Sequence, residues 1–452
     1  MTDIIIGRTT TVAGNNNASD LYRAVWRWHF YAGLLVLPFL ITLALTGALY
    51  LFRDEIDAVV HSDLKRVEVG TALAAPSAMI AAATAQYPGE AMKFTTPATP
   101  TASAEITVKQ ANGEKLAVYA NPYTGAILGS LPDKGTIMYL IRDLHSLKFF
   151  GTIGRGAIEI AAGWAILLVG TGVYLWWPRK GRGGALSVRG RPRQRIFWRD
   201  LHAVTGIFVG GVILFLAATG MPWSVFWGDK VNAWANSSNF GYPSGFWTNI
   251  PMSDEHMNHQ GETSWSTQHA MVPNSSGHAA SAIGIDRAVA IFDGLEVANG
   301  YAVAIPNAPT DVYTASVFPD DVERQRIVHL DQYTGKPLID LSYADFGAAA
   351  KALEWGISVH LGQQFGLANQ LFLLAACMAI MALAVSAAVM WWKRRPSGSL
   401  GVPALPNDRS KLAGVIVILA VGGVIYPLVG ASLVAMLCLD LAATRMWRTK
   451  AA

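Results

Sequence analysis

VWRWHFYAGLLVLPFLITLALTG, running from Val25 to Gly47, is the stretch on which the fold turns. Two tryptophans, an arginine and a histidine open it, and no charge then interrupts an apolar run long enough for a transmembrane helix, which needs about 20 residues. A cleavable signal would have a shorter apolar core and a small-residue cleavage site. Here the charged Arg53-Asp54-Glu55 follows without one, so the segment reads as a retained anchor over residues 28–52. Comparable runs occupy residues 157–177, 203–223 and 367–392. A last apolar stretch, 412–439, is interrupted at Tyr426-Pro427. Proline removes a helical N–H and clashes with the preceding turn, so a hairpin of two short helices is preferred there over one kinked helix.

Composition agrees with a membrane setting: 52% of the 452 residues are hydrophobic and only 15% are charged. The two cysteines, Cys377 and Cys438, lie inside apolar runs, so neither a disulfide framework nor a thiolate metal site is offered. The net charge of +4 conceals an asymmetry, because Arg179, Lys180, Arg182, Arg189, Arg191, Arg193, Arg195 and Arg199 fall in one short segment. Short cytoplasmic loops carry excess Lys and Arg. This loop, Lys393-Arg394-Arg395 and the amino terminus are therefore expected in the cytoplasm, and the two long connections on the other side, the periplasm of a Gram-negative cell.

The chain also repeats itself. Trp26-Arg27-Trp28-His29 opens span one as Phe197-Trp198-Arg199-Asp200-Leu201-His202 opens span three, and these spans close with Thr46-Gly47 and Thr219-Gly220. In the long connections, Asn121-Pro122-Tyr123-Thr124-Gly125 is echoed by Asp331-Gln332-Tyr333-Thr334-Gly335, each a strand running into a turn. Leu144-His145 with Phe150-Gly151 matches Val359-His360 with Phe365-Gly366, and the even spans end in Trp176-Trp177-Pro178-Arg179-Lys180 and Trp391-Trp392-Lys393-Arg394-Arg395. A duplicated unit of helix, outer domain and helix accounts for all of this. The expected organisation is a cytoplasmic amino terminus (1–25), helix one (26–52), a first outer domain (53–144), an outer histidine segment with helix two (145–178) and a basic cytoplasmic loop (179–200). Helix three (201–223), a second outer domain (224–359), an outer histidine segment with helix four (360–392), a cytoplasmic loop (393–410), the hairpin or kinked helix (411–443) and a cytoplasmic tail (444–452) complete it.

The duplication sorts four of the ten histidines into two like pairs, His29 with His202 near the cytoplasmic face and His145 with His360 near the outer face. Low-spin haem iron takes two axial imidazoles, and its apolar ring suits a helical bundle rich in glycine and aromatics. Gly33, Gly206, Gly151 and Gly366 would let such a ring approach the backbone. No Cys-x-x-Cys-His is present, so two b-type haems would be held non-covalently. The competing reading makes each histidine an interfacial anchor beside tryptophan. Zinc fits less well, because a closed zinc site takes four ligands and each pair supplies two. His145 precedes Trp177 by 32 residues, about 48 Å if all were helix, so it is expected on a separate turn before Gly151, and His360 likewise.

The second long connection also holds His256, His259, His269 and His278 among Met252, Met257 and Met271. Their spacing matches no metal motif, and the stretch reads as a polar loop in preference to a metal-handling one. Trp223, Trp227, Trp247 and Trp265 flank it; Trp223, Trp227 and Trp265 are the candidates for a substrate surface.

With these residues in view, the chain resembles the PepSY-associated transmembrane family, which includes inner-membrane ferrisiderophore reductases and iron-regulated membrane proteins. The likeness covers nearly the whole chain and rests on Trp28-His29, the two Tyr-Thr-Gly turns, Leu144-His145, Asp200-Leu201-His202 with Thr219-Gly220-Met221-Pro222-Trp223, Val359-His360 and the Pro427-broken end closing at Asp440. It implies a mainly α membrane protein, a haem-binding transmembrane bundle with two small α+β PepSY-like periplasmic domains. It further implies a haem-dependent ferric-siderophore reductase of the inner membrane, which releases ferrous iron for uptake. The Ala- and Thr-rich stretch 71–104 and the long His-rich loop depart from the family pattern and bear on the substrate surface. No nucleotide fingerprint is present, since Gly181-Arg182-Gly183-Gly184 lacks the strand and helix that such a site requires. The electron donor is thus external, cytoplasmic or in the membrane. The lipid bilayer is a partner, nucleic acid is not, and a homodimer is compatible with such a bundle. Three rival functions stand beside this one: a non-enzymatic PepSY sensor or regulator, a transporter, and a haem carrier to a quinone or periplasmic redox partner. The transporter is disfavoured because the confident spans hold almost no carboxylate except Glu159.

Overall fold

The computed structural model describes residues 16–178, 186–238, 240–241, 250–260, 267–276, 281–397, 400–403, 406 and 408–451. In chain order its helices are α1 (Asn16–Tyr50), α2 (Arg53–Val60), α3 (Ser62–Lys65), α4 (Pro76–Gln86), α5 (Ile137–His145), α6 (Gly151–Trp176) and α7 (Arg195–Gly220). There follow α8 (Trp227–Ser237), α9 (Met257–Gln260), α10 (Ile285–Gly294), α11 (Ala348–His360), α12 (Gly366–Arg394), α13 (Arg409–Ile425) and α14 (Pro427–Ala451). The strands are β1 (Glu90–Thr95), β2 (Ala104–Lys109), β3 (Lys115–Ala120), β4 (Ile127–Pro132), β5 (Met252–His256), β6 (Met271–Pro273), β7 (Ala302–Ala304), β8 (Val312–Val317), β9 (Arg326–Asp331) and β10 (Pro337–Ser342). Two compact units result, a helical one of residues 1–45, 150–227 and 376–452 and a sheet-bearing one of residues 46–149 and 228–375.

Four helical segments are long and apolar enough to cross a bilayer: Asp20–Tyr50, Lys148–Trp176, Arg195–Trp223 and Gly366–Arg394. Phe208, Ile418 and Val424 are 71%, 67% and 80% exposed, which suits a lipid environment and would be costly in water. The chain is a multi-pass membrane protein. The interrupted end forms two helices, α13 and α14, packed against each other with Gly423 and Gly430 at the close approach. Their apolar parts, Leu412–Ile425 and Pro427–Leu439, are each about 20 Å long by helical rise, short of the roughly 30 Å hydrocarbon layer. In the helical unit α6 packs on α7 and α14, and the buried Trp164 Nε1–H donates to Ser432 Oγ at 2.8 Å.

The architecture is mixed, four long apolar helices with a sheet, and the strands of the two long connections join in one eight-stranded antiparallel sheet in the order β10-β9-β8-β7-β1-β2-β3-β4. The junction pairs equivalent strands of the two repeats, Lys93 with Ala304, Phe94 with Val303 and Thr95 with Ala302. Each four-stranded half alone would present a row of unpaired backbone groups at this edge, and pairing the duplicates removes both edges at once. α4 covers the first half through Met79 and Ala83, and α10 the second through Ala288 and Phe292. Val289 packs against both cores, and the Ser77 N–H and hydroxyl donate to Asp286 at 2.8 and 2.5 Å, so the halves share an interior.

The repeated turns have one construction. Asn121 Oδ1 accepts the N–H groups of Tyr123 and Thr124 at 2.9 and 3.2 Å, and Asp331 Oδ1 those of Tyr333 and Thr334 at 3.0 and 2.9 Å. Gly125 and Gly335 close them at φ of +71° and +69°, a region that side chains disfavour. Burial pushes the Asp331 carboxyl upward, but hydrogen bonds from Ser276 and from these N–H groups outweigh it and hold the group below the usual carboxylate range.

Two outcomes follow for the sheet. Phe94→Ala at the junction should cost about 3–5 kcal/mol, and hydrogen exchange should show β2–β3 and β8–β9 losing protection together; loss confined to one half would contradict the shared core. His329, buried beside Thr314 Oγ1 at 2.8 Å, is pushed down to about 3 by burial. Below its unfolded value near 6.5 the unfolded chain takes up a proton that the folded one refuses. Stability should therefore fall by about 1.4 kcal/mol per pH unit from roughly pH 6.5 towards 3, and denaturant titrations should show His329→Gln losing that slope.

Candidate functional site

The first histidine pair lies wholly within the helical unit. His29 projects from α1 and His202 from α7, with ring centres 6.5 Å apart and planes at 82°. Each ring is held through Nδ1. His29 Nδ1 lies 2.9 Å from Thr171 Oγ1 on α6, and His202 Nδ1 lies 3.1 Å from the Leu383 carbonyl and 3.3 Å from Ser386 Oγ on α12. A carbonyl accepts and cannot donate, so Nδ1 of His202 carries the proton and Nε2 keeps its lone pair. A metal held between two imidazoles by bonds of about 2.0 Å, with roughly 1.1 Å from each nitrogen to its ring centre, would put the ring centres about 6.2 Å apart. The observed 6.5 Å lies close to that spacing. A direct N–H···N hydrogen bond at about 2.9 Å would instead bring the ring centres to roughly 5 Å.

His29 and His202 line a cavity of about 140 Å³ that opens to the outside, together with Phe30, Gly33, Met390 and Trp391. A Cβ on Gly33 would meet nothing within 4 Å, so the glycine leaves cavity space open. Gly206 serves packing instead, since a Cβ there would lie 3.4 Å from Leu383. Gly151 and Gly366 are used differently again. Both start a long apolar helix at φ of +58° and +56°, the left-handed conformation that glycine adopts without a Cβ penalty.

The second pair lies in the sheet-bearing unit. His145 closes α5 and His360 closes α11, so each stands on a helix separate from the following span. His145 Nδ1 lies 2.9 Å from Thr46 Oγ1, the same hydroxyl-to-Nδ1 arrangement that holds His29. Burial pushes the His145 imidazole down to about 4; burial, and then the nearby His145, push His360 down to about 3. Both shifts favour the neutral form of the ring.

Sequence reasoning named all four histidines but missed what holds them: Thr171, Thr46, Ser386 and the Leu383 carbonyl. The available signal was a hydroxyl within an otherwise apolar span, a residue type that lipid-facing helices use to bond across to a neighbour. Asp200, 2% exposed, anchors the basic loop through Arg189 at 2.7 Å and Arg199 at 2.7 Å. Glu159, 1% exposed, accepts the N–H groups of Phe226 and Trp227 at 2.9 and 3.2 Å, so the intramembrane carboxylate has a structural employment. Trp223 is 39% exposed and its carbonyl accepts from Arg155 Nη2 at 2.8 Å, while Trp227 packs against Tyr426 with ring centres 5.8 Å apart.

In the His-rich connection, His256 of β5 and His269, two residues before β6, have ring centres 6.5 Å apart, and His256 is in register with Met271 of β6. Among the described residues no group of three or more His, Cys, Asp or Glu is placed to hold a metal ion. Trp247, Trp265, His278, Arg179, Lys180, Arg182 and the Gly181–Gly184 segment lie outside the described residues, as does the side chain of His259.

Residues 26–394 match the PepSY-associated TM region, and the chain belongs to that family. The match runs from the tryptophan three residues before His29 to the arginine that closes α12, and so contains all four histidines. Among curated proteins no significant match to the chain was found.

If Glu159 works as an acceptor for backbone N–H groups, Glu159→Leu leaves the Phe226 and Trp227 N–H groups without this acceptor and should cost about 2–4 kcal/mol, with Glu159→Gln losing less than half of that. Thermal unfolding of the detergent-solubilised protein measures this; equal midpoints for Leu and wild type would remove the carboxylate from that role.

Proposed function

We propose that the protein is a di-haem transmembrane electron-transfer protein that reduces ferric iron held in a siderophore at the periplasmic face and releases ferrous iron for uptake. The observation that carries the reading is the His29–His202 pair, whose ring separation suits a metal between them and whose Nδ1 atoms are engaged elsewhere. The residues fit a b-type haem: two imidazoles, Nδ1 partners that orient each ring, aromatic and apolar walls and no cysteine for covalent attachment. His145 and His360 would hold the second haem, with Thr46 orienting His145 as Thr171 orients His29. The ring exceeds the 140 Å³ cavity and would project beyond it.

Bound at these sites, haem supplies reversible one-electron chemistry. The protein's own part is to hold the imidazoles, to exclude water with aromatic and apolar walls, and to set orientation through the Nδ1 partners. Each ferric ion takes one electron, with no proton transfer, from an external cytoplasmic or membrane donor. Ferric iron prefers hard oxygen ligands, and the ferrous product is held less tightly by such a chelator. The positive-inside pattern of the basic loop and of Lys393–Arg395 supports an inner-membrane orientation with the sheet-bearing unit in the periplasm. The exposed Trp223 and its neighbour Trp227 offer a surface for the chelate; Trp265 is the third candidate. Glu159's engagement with backbone N–H groups weakens the transporter reading further.

Absorption spectra of the purified protein, oxidised and dithionite-reduced, with a pyridine haemochrome count, test the proposal. Two low-spin b haems per chain are expected, one lost in His29→Ala and His202→Ala, the other in His145→Ala and His360→Ala. Thr171→Val and Thr46→Val should weaken retention of the corresponding haem about 10–100-fold. The reduced protein should be reoxidised by ferric siderophore, with ferrous iron appearing in a chelator trap. Absence of haem after expression with ample haem supply would remove the electron-transfer reading in favour of a PepSY sensor. Haem without ferric-chelate reduction would point to a quinone or periplasmic redox partner.

A further inference from the structure

We propose that Arg195 and Arg394 form a carboxylate clamp for the ligand of the His29–His202 cavity, and that on the haem reading above, on which this rests, the clamped groups are the two propionates. Both arginines line the same cavity as the two histidines. Arg195 is the first residue of α7 and stands seven residues before His202, two helical turns on the same face and about 10 Å along the axis. Arg394 is the last residue of α12, and its guanidinium lies 4.8 Å from the Trp26 ring centre and 4.9 Å from that of Phe30. These two rings also line the cavity, so the cation is held in place by its walls. Arg394 Nη2 donates to the Gly401 carbonyl at 2.6 Å, which fixes the plane of the fork.

Charge is unbalanced there. Among the described residues no Asp or Glu lines the cavity, and Asp200, the carboxylate closest in sequence to Arg195, is occupied by Arg189 and Arg199. Among the described residues no salt bridge is made by Arg195 or Arg394. Two guanidinium groups facing one half-enclosed space repel each other, and an anion between them turns that cost into charge-assisted bonds. A porphyrin with its iron at the imidazoles brings two carboxylates on one edge, a charge complement to two arginines. The sequence signal was present, since both arginines were counted among the residues that orient the chain in the membrane; only the structure brings them to one cavity.

The test uses the full-length protein in the His145→Ala, His360→Ala background, prepared haem-free and titrated with iron protoporphyrin IX or its dimethyl ester. The esters keep the ring and the iron but carry no charge. Protein with both arginines should bind the free acid at least tenfold more tightly than the diester. Arg195→Gln with Arg394→Gln should reduce free-acid affinity to the diester level and leave diester affinity unchanged, which also certifies the fold. Arg195→Lys with Arg394→Lys should retain part of the preference. The midpoint potential of the bound free acid should fall in the Gln variant, because a cation beside the propionates favours the reduced state. Equal affinities for acid and diester in protein with both arginines would overturn the clamp while leaving the haem reading intact. Failure to bind either porphyrin would overturn the haem reading itself. An Arg-dependent preference for anionic over neutral lipid nanodiscs, with no acid-over-diester preference, would assign the arginines to lipid headgroups instead.

Discussion

The Nδ1 bonds of the paired imidazoles are the constraint around which the spans are organised. A histidine on a spanning helix has a rotatable ring with two nitrogens, and only a fixed tautomer leaves a defined lone pair. Here the ring of His29 is fixed by a hydroxyl on α6, and that of His202 by a carbonyl and a hydroxyl on α12. The same bonds therefore fix which ring nitrogen is engaged and tie each ring to a second helix. In a lipid setting, where apolar contact gives helices little reason to prefer one another, such bonds and close small-residue contacts set the packing. Gly206 against Leu383 and Gly163 against Val429 are contacts of the second kind.

Duplication gives the protein two ways to use one pattern. In the sheet-bearing unit the copies meet through like strands, β1 against β7, and a turn built on Asn121 in one copy is built on Asp331 in the other. In the spans the copies supply matching histidines, but their ring partners differ, threonine for His29 and a carbonyl with a serine for His202. The strength of a hydrogen bond at Nδ1 tunes the basicity of the other ring nitrogen, so the two imidazoles differ in that respect.

Polar residues within the spans are employed locally. Glu159 and Arg155 satisfy backbone groups between Trp223 and Trp227, and Asp200 gathers two arginines at the start of α7. The cavity-lining Arg195 and Arg394 are the contrasting case, cations beside His29 and His202 with no carboxylate partner among the described residues.

Much of the architecture was legible in the residues themselves. The spans follow from run length and the absence of charge, the hairpin of α13 and α14 from Pro427, and the separate helices of His145 and His360 from a chain too long for one membrane crossing. The four histidines were legible because duplication placed them at like positions. What the sequence could not show was contact between residues far apart in it. Strand periodicity marks which residues face a core but not which edge meets which, so the single sheet joined at Phe94 and Val303 came only from tertiary structure. Hydropathy likewise treats Thr171 and Ser386 as mild interruptions of an apolar run, and Arg195 and Arg394 as flanking charge. The contacts of Thr171 and Ser386 depend on bringing together residues separated in sequence by 142 positions (His29 to Thr171) and 184 positions (His202 to Ser386). Local pattern determines which segments enter the membrane; the directional hydrogen bonds between those segments decide what they can hold.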